Sequence, residues 1–299
     1  MSSQGGSSVS LSGDVAFVTG AASGIGYALS RKLVELGVKV VMVDVNEEGC
    51  SDMAREFNRG TETVAIAVKA NTCSWDEQFA AYERGVKAFG RIDYFFANAG
   101  ISERQWLPTF DPSTASSRPI TKPALTTLEV DLIGQLYTAA LALQVFERQE
   151  VNRHGFRGKL LLTASIYSYF TCSTMPMYTA SKAGILHFMR SAAKLYEGKG
   201  VTVNSVAPNL LATNIGSKEA FKVFEARGLL RTPMDLVVRQ FISVLGDSKD
   251  NGRAISINDE EVWDHPVDMT RWEENSKCCD MMEYMTGIRT GYWKWREDA

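Results

Sequence analysis

From Asp14 onward the chain alternates two kinds of segment: short uninterrupted runs of β-branched and aromatic residues, and longer stretches in which apolar residues recur every three or four positions. Runs that are apolar throughout and too short for a helix suit strands covered on both faces, whereas the wider spacing lays one apolar stripe along a helix. Strands are accordingly predicted at 15–18, 38–43, 63–68, 94–97, 159–162, 201–206 and 254–257, and helices at 25–36, 47–57, 75–89, 126–149, 177–197 and 234–245. Alternating strand and helix builds βαβ units, whose crossover helices cover both faces of one parallel sheet. The expected fold class is α/β, with a doubly wound parallel sheet of about seven strands.

Two stretches break the rhythm. Residues 102–123 are rich in Ser, Thr and Pro, and 213–232 follow a strand and contain a short amphipathic helix; both are expected to border a pocket. Residues 1–12 are Ser/Gly-rich, without the basic start and apolar core of a signal peptide, and read as a flexible leader. Residues 13–258 are then expected to form a single domain. The stretch 259–299 changes composition, with Trp263, Trp272, Trp293 and Trp295 among mixed charges and methionines at Met281, Met282 and Met285. It is too aromatic for plain disorder, and reads either as a cover on the core or a neighbouring subunit, or as a lid adding apolar surface to a substrate pocket.

Composition narrows the function classes. With 299 residues, 45% of them hydrophobic, the chain can bury a sizeable core. Its formal net charge of −3 offers no basic face for phosphates, so a nucleic-acid partner is not expected. No membrane span is visible, and a cytoplasmic location is the default. Cys50, Cys73, Cys172, Cys278 and Cys279 show neither a Cys-x-x-Cys pair nor histidines at ligand spacing, so no metal is expected. His154, His187 and His265 are scattered and form no triad pattern.

Chemistry enters at the first turn. The strand Val15-Ala16-Phe17-Val18 runs into Thr19-Gly20-Ala21-Ala22-Ser23-Gly24-Ile25-Gly26, where a helix begins. Gly20, Gly24 and Gly26 let the backbone approach a pyrophosphate, while the amides around Ser23 and Ile25 and the helix dipole attract its charge. An ordinary loop could carry the same glycines, but the second strand ends in Asp44, whose carboxylate can accept hydrogen bonds from the adenosine ribose hydroxyls and would repel a 2′-phosphate. Neither Ser23 nor Val45 supplies an arginine for that phosphate, so NAD is favoured over NADP. Asn71 and Thr72 follow the third strand, where adenine would lie; Asn71 could accept from its amino group or simply close a turn. Asn98-Ala99-Gly100 closes the fourth strand, with Gly100 permitting close passage to the nucleotide and Asn98 pinning the turn. The sheet is therefore expected to be of the Rossmann type.

Tyr178 and Lys182 stand four positions apart on a predicted helix, and Ser165 lies thirteen residues before Tyr178 at the end of a strand. That spacing puts phenol and ammonium on one face, where the cation favours the phenolate and makes a group with a free pKa of about 10 usable in proton transfer. Alone, the pair would read as a solvated surface couple. Taken with Thr19 to Gly26, Asp44, Asn98 to Gly100 and Pro208 to Thr213, it resembles the short-chain dehydrogenase/reductase family over about residues 14–258. Within that family Asp44, Asn98 to Ile101 and Val130-Asp131-Leu132 look most like the NAD-dependent 15-hydroxyprostaglandin dehydrogenase type and its fungal relatives.

The resemblance implies that Tyr178 is the acid/base, that Lys182 binds the nicotinamide ribose and lowers the tyrosine pKa, that Ser165 hydrogen-bonds the substrate oxygen, and that Thr213 contacts the nicotinamide carboxamide. Three positions depart from the family pattern. Asp131 stands where an asparagine is usual, and as a tetrad member it keeps a backbone-carbonyl link to a water near Lys182 while adding a charge. Asn209 follows Pro208 where glycine is usual, in a turn expected to be left-handed. Asn71 replaces an aspartate beside adenine.

Ile166, Tyr167, Phe170, Met175, Met177, Leu210 and Leu211 are expected around the nicotinamide, which implies a small but bulky apolar alcohol or ketone such as a terpenoid, polyketide, steroid or lipid alcohol. The expected reaction is NAD-dependent oxidation of a secondary alcohol. Alternatives are a carbonyl reductase, a cofactor-assisted cyclase or isomerase of secondary metabolism, and a non-catalytic NAD-binding regulator. The helices at 126–149 and 177–197 resemble the pair that forms the family's dimer, with Leu132, Leu136, Leu141 and Phe188 at the contact or else facing the sheet. A homodimer or homotetramer is expected.

Overall fold

A computed structural model describes residues 9–211, 213, 222–223, 226–228 and 231–266; the first leader residues, most of the short helix expected within 213–232 and the extension beyond 266 lie outside the described residues. The strands are β1 (Val15–Thr19), β2 (Lys39–Asp44), β3 (Ala65–Lys69), β4 (Tyr94–Ala97), β5 (Gly158–Thr163), β6 (Val201–Pro208), β7 (Ala254–Asn258) and β8 (Glu261–Asp264), paired in the order β3-β2-β1-β4-β5-β6-β7-β8. Seven run parallel in register, for example Phe17 beside Val41 and Phe95; β8 returns antiparallel to β7, with Ser256 opposite Trp263. The fold is thus the expected doubly wound α/β sheet, extended by one strand.

That eighth strand lies within the stretch read as the C-terminal extension. It reverses after Asn258 through Asp259, whose φ of 54° is left-handed, a conformation that a short polar side chain tolerates. All four of its residues are exposed, so it carries no buried-strand signature, and Glu261 and Asp264 put charge on the sheet edge. By contact density the compact unit closes at Asp264; a separate unit begins at His265, of which only 265–266 are described.

The helices are α1 (Gly24–Glu35), α2 (Glu47–Phe57), α3 (Trp75–Phe89), α4 (Thr126–Leu128), α5 (Gln135–Arg148), α6 (Pro176–Leu195) and α7 (Met234–Ser243). The strands alternate their side chains between two cores. Phe17, Val41, Phe95 and Leu160 join Leu141 and Phe146 of α5 and Ile185 and Met189 of α6. Ala16, Val40, Phe96 and Leu161 join Leu29 and Leu33 of α1 and Val237 and Phe241 of α7. Leu141 is therefore committed to the core and is no candidate for an outer contact, whereas Leu132, Leu136 and Phe188 are only partly buried. Among the described residues no helix is long and apolar enough to cross a membrane.

The predicted single helix at 126–149 is interrupted. Glu129–Gly134 is a π-helical turn between α4 and α5. The Gly134 carbonyl accepts from Gln78 Nε2 at 3.0 Å and Thr138 Oγ1 at 3.1 Å, and a Cβ on Gly134 would meet Thr72 Oγ1 at 2.8 Å. Partners from β3's exit and α3 thus hold the widened turn, a feature that recurs at functional sites. It places the Asp131 side chain inside the molecule, with no residual exposure.

Candidate active site

The sheet order reverses between β1 and β4, and in such sheets ligands collect at the carboxyl ends of the strands beside that switch point. Those ends are stitched together here. Thr19 Oγ1 accepts from the amides of Asn98 (3.0 Å) and Ala99 (3.1 Å), and Asn98 Nδ2 donates to the Thr19 carbonyl at 2.9 Å. Thr163 Oγ1 donates to Asn98 Oδ1 at 3.0 Å, so Asn98 ties β1, β4 and β5 at one point.

The glycine turn is a cradle that side chains would fill. Gly20 has a φ of +67°, and a Cβ there would lie 2.9 Å from the Ala99 Cα; one on Gly26 would lie 2.1 Å from the Gly20 carbonyl oxygen. Thr213 lies across the turn, where a Cβ on Gly24 would meet its methyl at 3.2 Å. Ser23 and Ile25 flank the start of α1, whose N-cap residue Ser23 makes no side-chain cap bond. Asp44 reaches the same turn: its Oδ2 accepts from the Ala22 amide and its Oδ1 from the Asn46 amide, both at 2.9 Å. A bare backbone at a helix start with a carboxylate alongside fits a dinucleotide, the carboxylate oxygens each retaining a lone pair. We expect Gly26→Ala to weaken NADH binding, read by fluorescence titration, at least about tenfold, because the turn must open to admit the methyl. Unchanged affinity would contradict the cradle.

Asn71 is exposed, and its side-chain oxygen accepts from the Cys73 amide at 3.0 Å, closing an Asx turn. Lys69, which the sequence reading passed over, is the register partner of Asp44, and its ammonium pairs with Glu47 at 3.6 Å.

Around Tyr178 the helix α6, the π turn and the end of β5 converge. Lys182 Nζ lies 5.5 Å from the Tyr178 ring centroid and donates to the Thr163 carbonyl at 3.3 Å. Asp131 Oδ1 accepts from the Ile101 amide at 2.7 Å, while Oδ2 makes no directed hydrogen bond and instead faces Lys182 Nζ at 3.4 Å. The added charge of Asp131 thus makes a direct ion pair with Lys182, between groups 0% and 3% exposed. Burial pushes the Asp131 carboxyl above its ordinary range, partly offset by Lys182 and the Ile101 amide. Gly100 passes beside the pair: a Cβ on it would lie 3.3 Å from Lys182 Nζ and 3.4 Å from Asp131 Oδ1.

Ser165 caps the short turn Ile166–Ser168, its Oγ accepting from the Tyr167 amide at 3.3 Å, which leaves its own proton to donate. Ser168 Oγ receives the Ser165 amide at 3.3 Å and donates to the Lys182 carbonyl at 2.8 Å, fixing that turn to α6. Tyr167 meets Tyr178 edge to face at 6.2 Å, and burial raises its phenol above the ordinary value, so Tyr167 stays protonated near neutrality. Of the expected apolar lining, Ile166, Tyr167, Met175, Met177 and Leu210 are half-buried; Phe170 is 62% exposed, and Leu211 belongs to the core. Asn209 needs no left-handed backbone, since Asp259 is the one non-glycine with positive φ among the described residues; its side-chain amide instead bonds to Asn258 at the end of β7.

Sequence patterns gave no sign of Thr163 or Gln135, and gave Thr19 only as the first residue of the glycine turn. Gln135 Nε2 donates to the Thr163 carbonyl at 3.2 Å beside Lys182, one turn after Asp131. Thr19 and Thr163 each directly follow a predicted strand, and that position is the signal that could have marked them. No group of three or more metal-ligating side chains occurs among the described residues.

The family model described as short chain dehydrogenase matches residues 14–222. The cis-4-hydroxycyclohexanecarboxylate dehydrogenase of Sinomonas cyclohexanicum is 35% identical over 199 residues, covering 67% of this chain and 74% of that one. The short-chain dehydrogenase/reductase prx7 of Penicillium rubens is 26% identical over 239 residues, covering 78% of this chain and 80% of its own. Among solved structures, a 3-ketoacyl-(acyl-carrier-protein) reductase from Brucella melitensis complexed with NADH superposes with a TM-score of 0.70 at 21% identity, over 83% of this chain and 98% of that one.

Proposed function

We propose, from the premise that the chain belongs to the short-chain dehydrogenase family, that it is an NAD-dependent dehydrogenase converting a bulky apolar secondary alcohol to a ketone. The observation that carries this reading is one juxtaposition. Tyr178, the buried Lys182–Asp131 pair and Gly100 meet at the same strand ends as the glycine cradle and Asp44.

In this reading the turn from Gly20 to Gly26 holds the pyrophosphate, Asp44 the adenosine ribose, Asn98 the strand-end turn, and Thr213 and Lys182 the nicotinamide half; Asn71 borders the adenine. When bound, the nicotinamide supplies a hydride acceptor. The chain's own residues handle the proton and the geometry. Ser165 donates to the substrate oxygen and Tyr178 removes the hydroxyl proton, with the Lys182 ammonium held 5.5 Å from its ring. Asp131 holds Lys182 in place through the ion pair and holds the backbone after Gly100 through Ile101. The half-buried Ile166, Tyr167, Met175, Met177 and Leu210 supply the apolar walls that select substrate. Reduction of the ketone reverses these steps, so the direction of flux follows the substrate couple and the cofactor pool.

NAD is favoured over NADP because Asp44 is anchored at the turn, where its charge opposes a 2′-phosphate, and because Lys69 is engaged by Glu47. The test is kcat/KM for both cofactors with a panel of cyclic and long-chain secondary alcohols. We expect NAD to lead by at least about tenfold, with Asp44→Ala narrowing the gap. A wild-type preference for NADP would remove the cofactor assignment, and turnover confined to small polar alcohols would remove the substrate class.

A further inference from the structure

The helix that carries Tyr178 does not cap itself. Four amides at a helix start, the N-cap's and the next three, have no intrahelical partner; in α6 the N-cap residue Met175 makes no side-chain cap bond and its own amide reaches the Cys172 carbonyl at 3.1 Å, while Pro176 at the first position has no N–H to satisfy. The next two amides, those of Met177 and Tyr178, both go to Glu103. Glu103 Oε1 accepts from Met177 at 3.3 Å and Oε2 from Tyr178 at 2.7 Å, across 75 positions of sequence. With the next amide, that of Thr179, the regular i→i−4 ladder begins on the Met175 carbonyl at 3.0 Å, so every amide of the first turn is satisfied.

Glu103 is itself held. On one side of it the Ile101 amide donates to Asp131 Oδ1 at 2.7 Å, and on the other the Arg104 amide donates to Thr127 Oγ1 at 2.9 Å. The segment leaving β4 is therefore clamped to α4 and the π turn and, through one carboxylate, to the first turn of α6. A carboxylate at a helix N-terminus is also favoured by the dipole.

We propose that Glu103 is a positioning residue for the reaction: it replaces the missing N-cap of α6 and so fixes where the Tyr178 phenol stands relative to Lys182 and Ser165. This rests on the oxidoreductase reading above for its kinetic consequence, but the latch itself is a property of the protein alone. Glu103 makes no claim on substrate or cofactor; it acts through the backbone of Tyr178. An error of about an ångström in an acid/base group costs about a hundredfold in rate.

The experiment compares Glu103→Ala and Glu103→Gln with wild type in three readouts: amide hydrogen exchange at residues 177–178, NADH affinity, and kcat with a turned-over alcohol. Glu103→Ala is expected to speed exchange at Met177 and Tyr178, lower kcat by about ten- to a hundredfold, and leave NADH affinity within about twofold. Glu103→Gln keeps an amide oxygen as acceptor and is expected to recover most of both the protection and the rate. Faster exchange with unchanged kcat in Glu103→Ala would overturn the positioning role. Equal rate losses in both variants with exchange protection intact would overturn it too, since the charge and not the cap would then matter. If wild type turns over no alcohol, the functional reading fails, and the exchange data still decide whether Glu103 holds the helix.

Discussion

Tyr178→Phe is expected to lower kcat/KM for alcohol oxidation by about a hundred- to ten-thousandfold, the range spanned by losing a positioned acid/base, while NADH affinity stays near wild type. The ring is retained, so its edge-to-face contact with Tyr167 and its place beside Lys182 persist. Only the hydroxyl goes. No neighbour replaces it: Tyr167 is held protonated by burial, the Ser165 hydroxyl is turned to the Tyr167 amide, and Lys182 is bound to Asp131 and Thr163. The measurement is steady-state NADH formation alongside NADH titration. Retained turnover would move the proton to another group; lost binding would make Tyr178 a cofactor residue first.

Lys182→Met is expected to remove both activity and stability. Lys182 is the counter-ion of Asp131, a carboxylate with no exposure, and breaking a buried pair from one side costs about 3–5 kcal/mol, or roughly 6–20 °C in Tm for a domain of this size. The loss has a pH signature. Without Lys182, burial and the Glu103 charge are opposed only by the Ile101 amide, and the folded-state pKa of Asp131 rises further above the unfolded value of about 3.9. A carboxyl raised in this way binds its proton more tightly when folded. The variant therefore keeps its stability at acid pH and loses it as pH climbs through the raised pKa. The deficit relative to wild type is complete once the pH stands above that raised pKa. Lys182→Met with Asp131→Asn removes the orphan charge and keeps an acceptor for Ile101, so thermal stability recovers while turnover does not. A double variant as unstable as the single one would show that Lys182 supports the fold by packing and not by pairing.

The parts of this molecule legible in the sequence are those set by neighbours along the chain. Buried parallel strands are apolar throughout, the glycine turn follows the first of them directly, and Tyr178 and Lys182 share a face because a helix repeats every 3.6 residues. What escaped depends on partners far away. The π turn at Asp131 is held by Gln78, Thr72 and Thr138, and nothing in Val130-Asp131-Leu132 departs locally from a helix. Glu103 caps a helix 75 positions on, within a stretch whose composition reads only as loop. Strand β8 is exposed along its whole length, so neither alternation nor an apolar run announces it. Asn209 was read through a backbone constraint that the chain avoids by bonding its side chain to Asn258.

Transfer of hydrogen from carbon is the most direct test of the whole account. A panel of apolar secondary alcohols carrying deuterium at the carbinol carbon is incubated with NAD and either wild type or Tyr178→Phe, and the label is followed by mass spectrometry. For wild type we predict one deuterium in the reduced cofactor for each ketone formed, and for the variant at least about a hundredfold less labelled cofactor in the same time. Ketone formed without label in the cofactor, or equal label transfer by Tyr178→Phe, would contradict a hydride-transfer site built on Tyr178.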